Sequence, residues 1–356
     1  MALEKQLTSA AWSGDLDAAK ALLKEDPEAA RHWQPVMTAA FTGSTEIVRL
    51  LVEHGADPNV ISRNNHRHRP LHRVLEHKKT IPKGPHHVET VRALLEHGAR
   101  IDLRGGHGRM TAPCLAAVGG EIQFLPVLRE YIEDWDIFTS VALGEADRVR
   151  ALLDENESLV DAVDENRWRP LNYAAASGAG RDDAEVAARL EAIVVLLLQR
   201  GAEVNRPPPP LTSAIGNRAM MQAMLDAGAK PGPGLVNALW SVDYDSVEML
   251  LAAGADIRHP AVDDTLSELV QYGTYNMARF LVDRGANVNA VDDHRGRTAL
   301  HWAAVRGAGK PFVTYLLDQG ADPSIRDRDG ATALDIAREK KRKAIESMLL
   351  ERGRGG

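Results

Sequence analysis

Seven times in this chain a leucine-rich run ends in Gly-Ala, at Gly55, Gly98, Gly201, Gly228, Gly254, Gly285 and Gly320. The runs read IVRLLVEHGADPN, VRALLEHGARID, VEMLLAAGADI, ARFLVDRGANVN and VTYLLDQGADPS, with apolar residues at helical spacing. A glycine directly after such a run supplies the left-handed conformation that ends a helix. The last four intervals between these glycines are 27, 26, 31 and 35 residues. A period of that size marks repeated helix pairs, each too thin to bury its own apolar face, so neighbours must stack. The 356 residues would otherwise suit two ordinary domains. Aromatic residues make up only 5% of the chain, which favours thin helical layers over one large aromatic core.

The unit is clearest in GRTALHWAAVRGAGKPFVTYLLDQGADPSIRDRDGATALDIA, residues 296–337. Thr298 stands where a side chain can cap the first helix. Paired alanines let helices approach closely, Gly320 ends the second helix, and Asp327–Gly330 forms a tight turn before the next copy. Thr298, Ala299, Leu300, His301, Ala303 and Ala304, followed by Gly320, Ala321 and Asp322, resemble the ankyrin repeat, with its T-P-L-H-x-A-A opening and G-A-D-x-N close. The resemblance implies an all-α solenoid of stacked helix–turn–helix units with short hairpin fingers. It also implies a concave groove, lined by first helices and fingers, that binds a protein partner.

About eleven units can be traced. The third, near 61–102, carries an insertion at Lys78–His87, stiffened by Pro82 and Pro85. The fourth is degenerate at its end, and the fifth echoes the first (ALLDENESLV beside ALLKEDPEAA). This likeness divides the series into an N-terminal block, 1–134, and a C-terminal block, 135–356, continuous with it. Units seven to nine have eroded hairpins, and the eleventh ends as a polar cap.

Residues 63–109 reverse the charge of the chain. They hold 11 Arg and Lys against four acids, and eight of the thirteen histidines. Removing this net +7 from the chain's −7 leaves about −14 on the rest. On the implied fold, His72 and His301 bond to neighbouring backbone, and His54 and His97 sit at helix C-termini. What remains falls on fingers and inner helices of units three to six. The expected binding residues are Arg63, Asn64, Asn65, His66, His68, Arg73, Glu76, His77, Lys79, His107, Arg109, Trp168, Arg169 and Tyr173. The cations and amides would meet an acidic peptide or a phosphate- or carboxylate-bearing small molecule, and Trp168 and Tyr173 would be apolar anchors.

Other chemistry finds little support. His66, His68, Glu76 and His77 could be offered as zinc ligands, but HExxH is absent, Cys114 stands alone, and nearby arginines repel a cation. No nucleophile elbow, P-loop or dinucleotide fingerprint occurs, and no cofactor is expected. Asp263–Glu268 (DDTLSE) is similar to the acidic box of helical terpene cyclases, but is expected at an ordinary inter-repeat turn. Lys and Arg form no stripe with interleaved aromatics, so nucleic acid is not expected. The alternative to a binder is an enzyme with a small pocket in the same groove, using Glu76 and His77 as general acid and base beside His68. The chain is expected to be cytoplasmic, since it has one cysteine, no secretory signal pattern at its start, and no apolar run long enough to span a bilayer; a monomer is expected, although none of these features bears on it.

Overall fold

The computed structural model describes residues 3–63, 67–76, 83–106 and 108–352. Every named element among them is helical, and their one isolated bridge joins Gly105 to Met110. Contacts group the chain into two compact units, Met1–Pro210 and Leu211–Gly356. The division at 134/135, drawn from repeat likeness, falls inside the first.

The first unit contains six helix pairs: α1 (Leu3–Ser13) and α2 (Leu16–Glu25), α3 (Trp33–Thr42) and α4 (Thr45–Glu53), α5 (Pro70–Leu75) and α6 (Pro85–Glu96), α7 (Ala112–Gly119) and α8 (Leu125–Arg129), α9 (Ile137–Ala142) and α10 (Ala146–Glu155), α11 (Pro170–Ala176) and α12 (Ala184–Gln199). First helices pack in a row, α1 on α3, α5, α7, α9 and α11 in turn, and second helices pack beside their own partners and neighbours. Alanines make the row close: Ala11, Ala39, Ala40, Ala116, Ala117 and Ala174 are fully buried. The second helices give leucines to the layer between, including Leu23, Leu51, Leu94, Leu128, Leu153 and Leu190. Each such leucine contributes roughly 1.5–3 kcal/mol by leaving water.

The second unit repeats the plan with a worn start. Repeat seven keeps only a short 3₁₀ turn (Pro210–Thr212) before α13 (Arg218–Asp226). Then follow α14 (Gly232–Trp240) and α15 (Tyr244–Ala252), α16 (Pro260–Gln271) and α17 (Tyr275–Asp283), α18 (Ala299–Arg306) and α19 (Lys310–Asp318), α20 (Ala333–Glu339) and α21 (Lys343–Arg352). Its first helices stack as α14, α16, α18 and α20. Between second helices, aromatic rings do the joining: Tyr244 meets Phe280 edge-on at 4.8 Å, and Tyr275 lies 4.6 Å from Phe312. Asp263–Glu268 lies on α16, not at an inter-repeat turn, because Pro260 starts the helix three residues earlier. No helix among the described residues is long and apolar enough to cross a membrane.

The seven Gly-Ala pairs behave alike. Each glycine has φ between 86° and 94°, and each following alanine N–H bonds back to a helix carbonyl, as in Ala56 to Leu51 (2.9 Å) and Ala321 to Leu316 (2.9 Å). The left-handed residue turns the chain so that orphan carbonyls of the helix end are satisfied while alanine tucks inside.

The fingers share a second device. In each, a base N–H bonds to a carbonyl across the loop: Ser62 to His68 (2.8 Å), Gly105 to Met110 (3.1 Å), Asp164 to Trp168 (3.0 Å), Asp292 to Arg297 (3.0 Å) and Asp327 to Ala331 (2.9 Å). Three of the base residues are buried aspartates. One oxygen of each accepts two backbone N–H groups of its own loop: Asn166 and Trp168, His294 and Arg295, Asp329 and Ala331. The other oxygen takes a side-chain donor, Tyr173 O–H (2.7 Å), Trp302 Nε1–H (2.7 Å) or Arg297 Nε–H (2.9 Å). Burial by itself would raise the Asp327 carboxyl, but the bonds from Arg297, Ala331 and Asp329 outweigh it and hold the group below its usual range. A depressed folded value contributes stability above the unfolded carboxyl range, and that contribution is lost as pH falls through the folded value.

Asp327→Ala should therefore cost about 2–4 kcal/mol at neutral pH, because it strands three part-buried donors at once. Urea unfolding of both proteins should show the gap narrowing as pH drops below about 4, the unfolded carboxyl range. A gap that is constant with pH would show that packing, not ionisation, sets the loss.

Candidate functional site

The structure sorts the expected binding residues into three groups. Asn64, Asn65, His66, His77, Lys79 and His107 lie outside the described residues. A second group is turned into the protein. Tyr173 is fully buried, its O–H donating to Asp164 Oδ2 and its ring packed against Phe138 (5.5 Å) and the edge of Trp168 (5.2 Å). Burial, followed by the Cys114 and Asp164 groups, pushes its phenol up. Tyr173 is thus a core residue and not a surface anchor, since a first-helix position in this stack faces the next first helix. His68 is buried as well, its backbone N–H donating to Ser62 Oγ (2.9 Å).

Arg73, Glu76, Trp168 and Arg169 are half-buried, and the three charged residues already have partners. Arg73 Nη1 donates to Glu76 Oε2, and its guanidinium lies 4.0 Å from the centre of the Phe41 ring on α3. Glu76 Oε1 stands 3.5 Å from His68 Nε2. The α5 helix ends at Leu75, so Glu76 is its C-cap, not an inward-facing helical residue. Arg169 lies 3.9 Å from Asp161 and donates to the Pro207 carbonyl (3.4 Å).

Of the expected set, Arg63 and Arg109 are the exposed finger residues among the described residues. Two further arginines join them, Arg67 and Arg167. Arg67, Arg109 and Arg167 each stand immediately before the residue whose carbonyl closes its finger. All three have positive φ, 48°, 41° and 64°. In the last two fingers the same position holds Gly296 (φ 64°) and Gly330 (φ 79°). The sequence carries a signal for this: RHRPL, RWRPL, GRTAL and GATAL align the position, one residue before the segment that leads into the helix. Hydrogen bonds to backbone carbonyls hold the basic fingers side by side. Gly106 N–H reaches the Arg67 carbonyl (3.4 Å), and Asn166 Nδ2 donates to the Gly108 carbonyl. Among the described residues, no carboxylate forms an ion pair with Arg63, Arg67, Arg109 or Arg167.

Beneath the fingers the chemistry is structural. His72 Nε2 bonds to the Met110 carbonyl (2.8 Å), and burial pushes its imidazole down to about 4, so it is neutral at pH 7. His301 makes the same bond to Ala331 (3.2 Å) and pairs with Thr298 Oγ1 (2.8 Å). His54 and His97 bond Leu50 and Ala93 in their own helices (2.8 and 2.7 Å). The insertion expected at Lys78–His87 ends sooner, because Pro85, His86 and His87 form the first turn of α6. His87 is buried, and burial with Lys83 and His86 nearby pushes it down to about 4. Cys114 is buried 3.8 Å from Thr139 Oγ1, and burial pushes the thiol up to about 12, far from a reactive thiolate. Among the described residues, no group of three or more His, Cys, Asp or Glu is gathered so as to hold a metal.

A family model described as ankyrin repeats, in three copies, matches residues 7–105 and 265–355, more than half of the chain. The chain belongs to the ankyrin repeat family. Ankyrin repeats generally mediate contacts between proteins. A putative ankyrin repeat-containing protein of Treponema pallidum is 35% identical over 113 residues, which cover 31% of this chain and 38% of that protein. The E3 ubiquitin-protein ligase hecd-1 of Caenorhabditis elegans is 44% identical over 70 residues, 19% of this chain and 2% of the ligase. The matched part is thus less than two fifths of either relative. Among solved structures, the ankyrin repeat domain of human ASB11 aligns with 62% of this chain and 98% of its own, at TM-score 0.47 and 25% identity. That of Bcl-3 aligns with 60% and 98%, at TM-score 0.48 and 26% identity.

Tyr173→Phe deletes the buried hydroxyl and leaves Asp164 Oδ2 with two longer donors, Arg104 Nη1 and Asn166 Nδ2, each at 3.4 Å. Urea unfolding should show a loss of about 1–2 kcal/mol. A loss under about 0.3 kcal/mol would mean that ring packing alone fixes Tyr173.

Proposed function

We propose that this ankyrin repeat protein is a recognition scaffold whose first unit holds an acidic segment of a partner protein along the fingers of repeats three to six. One observation carries the reading: three basic fingers place an exposed arginine at the left-handed position that glycine fills in the last two fingers. An L-residue there costs roughly 1–2 kcal/mol, against about 0.5–1 kcal/mol for the greater chain entropy of glycine. The fold alone gives no reason to prefer arginine. Retained strain of this kind concentrates where function needs the side chain. Guanidinium groups suit carboxylate or phosphate, because the planar fork matches two oxygens at once. Arg63 extends the row, and the negative remainder of the chain would turn the basic face toward an incoming anion. The acid–base reading of Glu76 has no comparable support, since Arg73 holds one of its oxygens and His68 stands near the other. A reducing location such as the cytoplasm suits the lone buried Cys114.

The test is Arg67→Gly, Arg109→Gly and Arg167→Gly together, with fluorescence anisotropy of a labelled hexaglutamate peptide and inorganic phosphate as competitor. Affinity should fall tenfold or more while the melting temperature holds or rises. The equally charged control Arg31→Ala, Arg148→Ala and Arg150→Ala should lose less than twofold. Equal losses in both variants would reduce the effect to net charge and overturn the placement. Phosphate displacing the peptide at low concentration would move the reading to a small phosphorylated ligand.

A further inference from the structure

The second unit carries a different surface, independent of the arginine fingers. A cavity of about 720 Å³ opens along the first helices of the last three repeats and the fingers beside them. Its apolar lining comes from Trp302 and Val305 on α18 and Ile336 on α20. The indole does not move freely there: its N–H donates to Asp292, and Arg297 lies 5.1 Å from the ring centre.

Charge distinguishes this groove. Asp264 and Glu268 stand one turn apart on α16, and Asp293 and Asp329 lie on the fingers. Among the described residues none of these four is in an ion pair, although Asp264 accepts the Asp293 backbone N–H (3.1 Å). The cations nearby are mostly committed. Arg297 is bonded to buried Asp327, and Lys340 is paired with Glu339 (2.9 Å), leaving Arg295 as the lining arginine outside such a pair. Burial, then the neighbouring charges of Asp264 and Asp292, raises the Glu268 carboxyl. Like charges held together in this way favour an incoming cation.

Aromatic rings continue the stripe. Tyr272 follows α16, its N–H bonded to the Glu268 carbonyl (2.8 Å), so Asp264, Glu268 and Tyr272 recur at intervals of four along one edge. Tyr272 is 63% exposed, and its ring meets that of the 42% exposed Trp240 edge-on at 5.7 Å. Two large exposed rings beside unpaired carboxylates are the two halves of a site for a guanidinium: oxygens for the fork and π faces for the plane.

We propose that this groove of the second unit docks a basic protein segment, with arginine side chains against Asp264 and Glu268 and along the Tyr272–Trp240 pair. Arginine fits better than lysine, because an ammonium gains the carboxylates but stacks less well on the rings.

The probe is a labelled Gly-Arg-Gly-Arg-Gly-Arg peptide, with its lysine counterpart, titrated into the full chain. Asp264→Asn with Glu268→Gln should weaken arginine-peptide binding at least tenfold. Asp226→Asn with Asp245→Asn, the same charge change at exposed sites elsewhere in the unit, should alter it less than twofold. Tyr272→Ala should erase the preference for arginine over lysine. Circular dichroism melting should show both acidic variants folded, and if the double variant is not, Glu268→Gln alone serves. No binding by the wild type, or equal loss in the groove and control variants, overturns the proposal.

Discussion

A buried carboxylate that ties its own loop to a neighbouring helix or finger underlies most of this architecture. Asp164, Asp292 and Asp327 each spend one oxygen on two N–H groups of their finger. The other oxygen goes to a donor from a helix or the preceding finger. Remove the carboxylate and the finger loses its shape and its anchorage together, since short loops have no core of their own. Asparagines add a second tie. Asn59 bridges to Gly98 and Arg100 of the next repeat, and Asn289 bridges in the same way to Gly320 and Asp322. Stacking thus rests on polar groups satisfied between repeats as well as on the thin apolar layer.

This explains why the fold was so legible in the sequence while the site was not. Gly-Ala after a leucine-rich run has one physical use, ending a helix, and all seven copies do that. The Thr298–His301 pair is equally restricted, and its bonds are those its motif implied. By contrast, charge on a residue name says nothing about what the group already touches. Charge and helix position suggest a binding role for Arg73, yet it lies over Phe41 and against Glu76. An aromatic residue beside a basic finger suggests an apolar anchor, yet the Tyr173 hydroxyl is donated to buried Asp164. What hides these is side-chain contact, with Glu76 and Asp164 nearby in the chain and with Phe41 across the repeat, and periodicity encodes none of it.

The finger arginines show the reverse case, in which comparison between repeats of one chain is informative. Gly296 and Gly330 state what the backbone requires at that position, and Arg67, Arg109 and Arg167 depart from it. The closing hydrogen bond is kept in all five fingers, so the departure has not cost the loops their closure. It has added a side chain at a point where the neighbouring finger is hydrogen-bonded alongside. A solvated basic face could have used lysine or arginine on any outward helical position, with no strain at all. Choosing the strained position three times selects for where the cation sits, not only for how many there are.

The same logic separates a binding surface from a merely charged one in the second unit. Most of its acidic side chains do structural work or pair with arginine, as Glu248 does with Arg284 and Asp318 with Arg352. Exposed pairs of this kind contribute little to stability, but they do neutralise one another. Glu268 is different: its half-buried carboxyl is raised by burial and by Asp264 and Asp292, a cost that no partner within the described residues offsets. A charge that is disfavoured by its own surroundings and lies beside exposed rings is better explained by what can dock there than by what the fold needs. Glu268→Gln, which keeps the shape and removes the charge, should then leave the fold as stable or more so while depleting the groove of its attraction for a cation.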